Sequence, residues 1–295
     1  VTEPSHPYTI LDVFTDKPLT GNPLAVFTAG EEIPSRLMQI TARELNLSET
    51  VFLLPGDHDA DASVRIFTPS AELPFAGHPV LGAAFVVGGK NDHHTHGDVV
   101  RVRTGAGIVP VVLRREDGEV VYGEMEQPKP TLNAFPDPTA LLHALGVAGA
   151  ELPVEVYSNG PKHVMVALSS PEQVAALTPD MSALVRAGTD VDLPRLGVNC
   201  FAKVSDGHFK TRNFSPALGV AEDPATGSAA GPLALHLVRH GWTMPGEEIE
   251  IVQGVEINRP SRLRARIDGD PDDPTKIAVG GSAVTVAHGH FRLSA

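Results

Sequence analysis

The chain has 295 residues, with 23 Lys and Arg against 36 Asp and Glu; the formal net charge of −13 argues against cationic binding to nucleic acid or anionic lipid. Hydrophobic residues make up 42% and charged residues 20%, enough apolar material for a packed core and too little charge for a disordered chain. The longest uncharged apolar stretch, residues 79–89, falls short of the roughly 18 residues a membrane helix needs, and the single cysteine, Cys200, removes disulfide frameworks and any mechanism that needs two thiols. The opening VTEPSHPYTI has neither a basic nor an apolar leader stretch, so the expected home is the cytoplasm.

Glycine (28) and proline (26) cut the sequence into short segments, so a strand-rich fold is expected. Clusters of β-branched and aromatic residues predict strands at 8–14, 25–27, 50–54, 63–68, 99–103 and 108–113. Residues 35–45 follow Pro34 and place Leu37, Met38, Ile40 and Leu45 at helical spacing, predicting an amphipathic helix. The order of parts then recurs, with strands at 155–157, 164–168, 200–204 and 209–214 and a helix through 233–239. QPKPTLNAFPDP interrupts the pattern, which places a first lobe at 1–130 and a second at 131–279.

The recurrence is visible residue by residue. RIFTPSAELPFAGHPVLGAA (65–84) lies over RNFSPALGVAEDPATGSAAG (212–231), matching Arg65 with Arg212, Phe67 with Phe214 and Pro69 with Pro216. After a two-residue gap, His78-Pro79 falls on Asp223-Pro224 and Gly82 on Gly227. A duplicated strand, loop and helix predicts two related lobes with equivalent loops facing a shared cleft.

Both copies put a polar residue before proline and a run of small residues, the pattern of a helix start whose N–H groups and dipole favour an anion. Pro232 interrupts the second run, so its regular helix is expected to start near Ser228, with 225–227 as a turn. Read as structure alone, Asp223 is a helix cap and His78 a hydrogen-bonded core histidine; read as function, a titratable base and a carboxylate occupy equivalent places. Glu49 opens ETVFLL on the same strand face as Val51 and Leu53, where apolar neighbours would raise its pKa and suit it to take and return a proton. His93, His94 and His96 in NDHHTHGD have no particular ligand spacing and read as a polar surface tract, so no metal is expected. Cys200 reads as an inert strand residue facing the core.

TGNPLAVF (20–27), NLSETVFL (46–53), FTPSAELPFAGHPVLGAA (67–84) and EDPATGSAAGPLALHL (222–237), in this order, closely resemble the motifs of the PhzF-like family of phenazine-biosynthesis isomerases over nearly the whole chain. The resemblance implies an α/β (α+β) fold of the diaminopimelate-epimerase type: two pseudo-symmetric lobes, each a curved, barrel-like sheet around a central helix, with the active site in the cleft between them. It further implies that the last strand, within 280–295, completes the first lobe. By the same resemblance Glu49 is the proton-shuttling acid/base, His78 and Asp223 complete the catalytic set, and Ser48, Gly77, Gly227 and Ser228 bind substrate. The family uses no metal, flavin or nicotinamide and commonly forms homodimers, so no cofactor, a small anionic substrate and a dimer of this chain are expected. Its phenazine member isomerises trans-2,3-dihydro-3-hydroxyanthranilate.

Two competing readings remain at this level. A racemase or epimerase of the same fold works through two facing cysteines, which a chain with one thiol cannot supply. A non-catalytic binding protein that keeps the cleft would not need the carboxylate at Glu49.

Overall fold

The computed structural model describes residues 5–89 and 98–293. The tract with His93, His94 and His96 lies outside the described residues. Eighteen strands and six α-helices are described: β1 (Ser5–Val13), β2 (Asn22–Phe27), α1 (Ser35–Leu45), β3 (Glu49–Pro55), β4 (Ala62–Phe67), β5 (Glu72–Leu73), α2 (Gly77–Gly89), β6 (Val99–Thr104), β7 (Gly107–Glu116), β8 (Glu119–Glu126), β9 (Thr131–Ala134), α3 (Thr139–Leu145), β10 (Glu155–Ser158), β11 (Lys162–Ala167), α4 (Pro171–Ala175), α5 (Met181–Thr189), β12 (Leu196–Ser205), β13 (His208–Ser215), β14 (Val220–Asp223), α6 (Gly227–Arg239), β15 (Glu248–Gln253), β16 (Ser261–Asp270), β17 (Asp273–Gly281) and β18 (Ala283–Arg292). They form two compact units, residues 1–126 with 280–295 and residues 127–279.

In the first unit β1 runs antiparallel to β2 and to β18. Then β2 runs parallel to β3, β3 antiparallel to β4, β4 antiparallel to β5 and parallel to β6, and β6 antiparallel to β7. The second unit repeats this scheme: β10 antiparallel to β11, β11 parallel to β12, β12 antiparallel to β13, β13 antiparallel to β14 and parallel to β15, and β15 antiparallel to β16. The duplicated sequence is therefore a duplicated sheet topology, with α2 and α6 in equivalent places.

The strands of each unit pack against its central helix because that helix is apolar nearly all round. In α2, GHPVLGAAFVVGG carries no charge; residues 77–85 and Gly88 are buried, and the helix packs against β1 to β4 and β6 to β8. In α6 every residue from Gly227 to Val238 is buried. A helix with no polar face has no stable place in water, so the sheet must wrap it.

The outer face of the first sheet is covered by α1, where Phe27, Phe52 and Phe67 pack with Leu37, Met38 and Ala42. Phe27 and Phe52 stack at 4.9 Å, and Phe52 meets Phe67 edge-on at 5.6 Å. Burying each such ring contributes about 1.5–3 kcal/mol. One expected member of the α1 stripe is corrected: Ile40 is 46% exposed. The buried face centres on Leu37, Met38, Thr41 and Ala42, and Ile40, two residues past Met38, is turned about 200° from it. α1 ends at Asn46 in the left-handed region (φ 52°), a conformation asparagine tolerates.

In the second unit α3, α4 and α5 cover the equivalent outer face, packing Leu141, Val174 and Leu184 against Val164, Val198, Cys200 and Phe214. Cys200 is fully buried and free, and burial pushes its thiol well above the usual range, so it is not nucleophilic. Among the described residues no helix is long and apolar enough to cross a membrane.

Candidate active site

The first unit brings Glu49 and His78 together. Glu49 is the first residue of β3, paired with Leu24 of β2. Thr50 and Phe52 alternate toward α1, which leaves Glu49, Val51 and Leu53 on the face toward α2. His78 is the second residue of α2 and is 2% exposed. Its Nδ1 lies 3.5 Å from Glu49 Oε2 and 3.3 Å from the side-chain amide of Asn22, the residue that opens β2. Burial drives the His78 pKa down to about 3, so the imidazole is neutral near pH 7 and its contact with Glu49 is a polar contact rather than an ion pair. His78 Nε2 is buried with no partner among the described residues. Ser48, half-buried, immediately precedes β3, and Gly77 opens α2.

Close packing of α2 on β2 requires a glycine one turn into the helix. A Cβ at Gly82 would lie 2.4 Å from the Leu24 side chain.

The second unit brings Asp223, Gly227 and Ser228 together around the start of α6. Asp223 ends β14 and is 7% exposed. Its Oδ2 accepts a 2.6 Å hydrogen bond from Thr226 Oγ1, which in turn accepts from Gln253 Nε2 at 2.9 Å. The same Gln253 amide donates to the Asp223 carbonyl at 2.7 Å, and its Oε1 accepts from the Thr226 backbone N–H at 3.2 Å. One buried glutamine thus fixes both ends of the Asp223–Thr226 turn.

The helix start departs slightly from expectation. α6 begins at Gly227 and passes through Pro232 without ending. Proline has no N–H to give the carbonyl four residues back, which is that of Ser228. The side-chain amide of Asn159 takes its place, donating to Ser228 O at 2.9 Å. Gln127 Nε2 donates to the neighbouring Gly227 carbonyl at 2.7 Å. Gly231 makes room for this arrangement, since a Cβ there would lie 2.4 Å from Gln127 Oε1. With its carbonyls satisfied from outside, the turn tolerates the proline.

Ser228 Oγ lies 3.0 Å from Nε2 of His163, which is 4% exposed on β11. Burial lowers the His163 pKa to about 4, so this ring is also neutral. At the far end of α6, Glu155 Oε2 gathers Tyr157 Oη at 2.8 Å, His236 Nδ1 at 2.9 Å and His240 Nε2 at 3.1 Å. Glu155, His236 and His240 place their ligand atoms within 4.8 Å of one another, and the set closes as hydrogen bonds onto one carboxylate oxygen. Burial holds His236 at about 4, while the bonds to Glu155 outweigh its own burial and keep that carboxyl low.

Strand register aligns the two units. In the first, Ala25, Thr50 and Phe67 are neighbours across β2, β3 and β4. In the second, Val164, Val198 and Phe214 are neighbours across β11, β12 and β13. One step back, the Leu24–Glu49 pair of the first unit corresponds to His163–Gly197 of the second. Asn22, Gln127, Asn159, His163, Gly197 and Gln253 were not singled out in the sequence. Their partners lie 27 to 100 residues away, and only the paired ladders bring them into view.

Comparison with known proteins gives a consistent result. The family model for PhzC-PhzF, described as phenazine biosynthesis-like protein, matches residues 11–289. The trans-2,3-dihydro-3-hydroxyanthranilate isomerase of Pseudomonas aeruginosa is 49% identical over 98% of this chain and 100% of its own length. A solved structure of a predicted epimerase from Pseudomonas aeruginosa is 32% identical with a TM-score of 0.81, covering 98% of this chain and 100% of that one. The PhzF-family structure from Bacillus anthracis, at 24% identity and a TM-score of 0.84 over 98% of this chain and 100% of that one, shares the fold. The chain belongs to the PhzC-PhzF family of phenazine biosynthesis-like proteins, and it is an isomerase.

Proposed function

We propose that the chain is a cofactor-independent isomerase that moves a proton between carbons of a small unsaturated amino or hydroxy acid, trans-2,3-dihydro-3-hydroxyanthranilate or a close analogue. The observation that carries this reading is the placement of Glu49 against a neutral His78 in one unit, with Gly197 at the corresponding place in the other. Glu49 takes the proton from an activated carbon and, as the acid so formed, returns it to another carbon of the same substrate. The neutral His78 has a buried Nε2 that can hold a substrate polar group without competing for the proton. Asp223 and Ser228 hold the substrate's remaining polar groups, with Ser48, Gly77 and Gly227 contributing close to it, and the helix starts favour its carboxylate. Inversion of a carbon between two faces by paired thiols would need two cysteines, and the chain has one, Cys200, which is buried.

The test is direct. Purified protein treated with EDTA and exhaustively dialysed, then given trans-2,3-dihydro-3-hydroxyanthranilate, should isomerise it without any added cofactor. Binding without turnover would favour the non-catalytic reading, and turnover that depends on restoring a metal would contradict cofactor independence.

A further inference from the structure

His163 stands beside Ser228 for reasons that the two-unit comparison makes specific. In the first unit the corresponding strand position is Leu24, an apolar residue packed against Gly82 of α2. In the second, the glutamate-bearing neighbour has become Gly197, and the imidazole of His163 fills the space. A Cβ at Gly197 would lie 2.7 Å from His163 Nδ1 and 3.1 Å from Ser215 Oγ. The glycine and the histidine are therefore one device, and the ring cannot be where it is with any other residue at 197 unless something shifts.

A neutral imidazole carries one N–H and one bare nitrogen. His163 Nδ1 is buried with no hydrogen-bond partner among the described residues, whereas Nε2 lies 3.0 Å from Ser228 Oγ. A proton on Nδ1 would be an orphaned buried donor, which is rarer and more costly than an unfilled acceptor. The proton belongs on Nε2, so Ser228 Oγ accepts. A hydroxyl has a single proton to donate, and this bond leaves it uncommitted to His163. Because Asn159 also holds the Ser228 carbonyl at 2.9 Å, the residue is fixed at both backbone and side chain.

We propose that His163 is a positioning residue: its Nε2–H fixes the Ser228 hydroxyl as an acceptor on the protein side, so that the serine's own proton is presented to the substrate. The inference rests on the proposed role of Ser228 in holding the substrate of this isomerase.

Two measurements test it, and only one needs turnover. Long-range ¹H–¹⁵N correlation of the histidine rings at pH 7, with His163 assigned by its loss in His163→Gln, should show the Nε2–H tautomer. The Nδ1–H pattern would overturn the proposal, because Ser228 would then be the donor to the ring. Kinetics with trans-2,3-dihydro-3-hydroxyanthranilate should show His163→Phe lowering kcat/KM roughly tenfold, the size of one oriented hydrogen bond, while His163→Gln, whose amide N–H can reach the same oxygen, stays within about threefold of wild type. In a Ser228→Ala background His163→Phe should have no further effect, since its target is gone. Full additivity of the two losses would overturn the proposal. A wild-type chain with no turnover of this probe would sink the functional reading instead, and the tautomer would still decide the His163–Ser228 assignment.

Discussion

The two units share a strand scheme, a buried central helix and matching ladders, yet they differ at one equivalent pair of neighbouring strand positions. The first carries Leu24 and Glu49; the second carries His163 and Gly197. The two units are equivalent scaffolds, and only the first carries a carboxylate at this place. In the other a glycine stands at that place, and an imidazole from the neighbouring strand occupies the space beside Ser228. The difference teaches that one repeated framework can present a carboxylate beside its central helix in one unit and a neutral imidazole in the other, and under the proposed function this would separate proton transfer from substrate holding.

A second pair of equivalents differs in depth. Arg65 meets Glu72 through two 2.7 Å bonds and Ser35 at 2.6 Å, with 27% of its side chain exposed. Arg212 meets Glu222 at 2.8 and 2.7 Å, but it is 9% exposed and also donates to the carbonyls of Val174, Ala175 and Leu177. Both guanidiniums lie over the phenylalanine two residues on, Arg65 over Phe67 and Arg212 over Phe214. The largest effect on stability is therefore expected in the second unit. Arg212→Ala leaves Glu222, whose side chain is only 10% exposed, without its partner and should cost about 3–5 kcal/mol, whereas Arg65→Ala should cost about 1 kcal/mol or less. Urea melts of the two variants check this, and equal losses would break the comparison.

Acid sharpens it further. The pKa of His163 falls from an ordinary value near 6.5 to about 4 on folding, so the unfolded chain binds the proton first. The stability this histidine contributes is complete above about pH 6.5 and is lost as pH falls toward 4, at about 1.4 kcal/mol per pH unit. His163→Gln should therefore remove about 2 kcal/mol of the stability loss between pH 7 and 5, measured by denaturant melts at the two values. His236 in the same unit, also held at about 4, and His78 in the first, at about 3, have the same sign.

The smallest change tests the glycine. Gly197→Ala should cost about 1–3 kcal/mol by pushing the His163 ring, and it should lower kcat/KM in the same way as His163→Phe. An alanine variant with unchanged stability and kinetics would show that the ring has room to move.

Much of this was legible in the sequence where the signal is local. The motifs around Glu49, His78 and Asp223 each fall within a few residues, and α1 begins and ends as its apolar spacing and Pro34 indicate. The short helices of the second unit were missed although their caps were present: Ser170 before Pro171 accepts from the Gln173 N–H, and Asp180 accepts from the Ala183 N–H. With only 5 and 9 residues, α4 and α5 carry too little periodicity to outweigh the surrounding prolines and loops. His163 and Gly197 were illegible for a different reason. KHVMVAL reads as an apolar strand opened by a solvated residue, and its meaning depends on a parallel neighbour 34 residues on and a helix start 65 residues on.

The proposed separation of roles between the units is tested most directly by Glu49→Gln, which keeps the side chain's size and hydrogen-bonding capacity but cannot carry a proton. Ligand affinity, read by calorimetry with a substrate analogue that cannot react, should stay within about threefold of wild type, while kcat for the isomerisation should fall by at least ~10²-fold. A Glu49→Gln enzyme that turns over at the wild-type rate would contradict the account, because the proton would then be carried by another group.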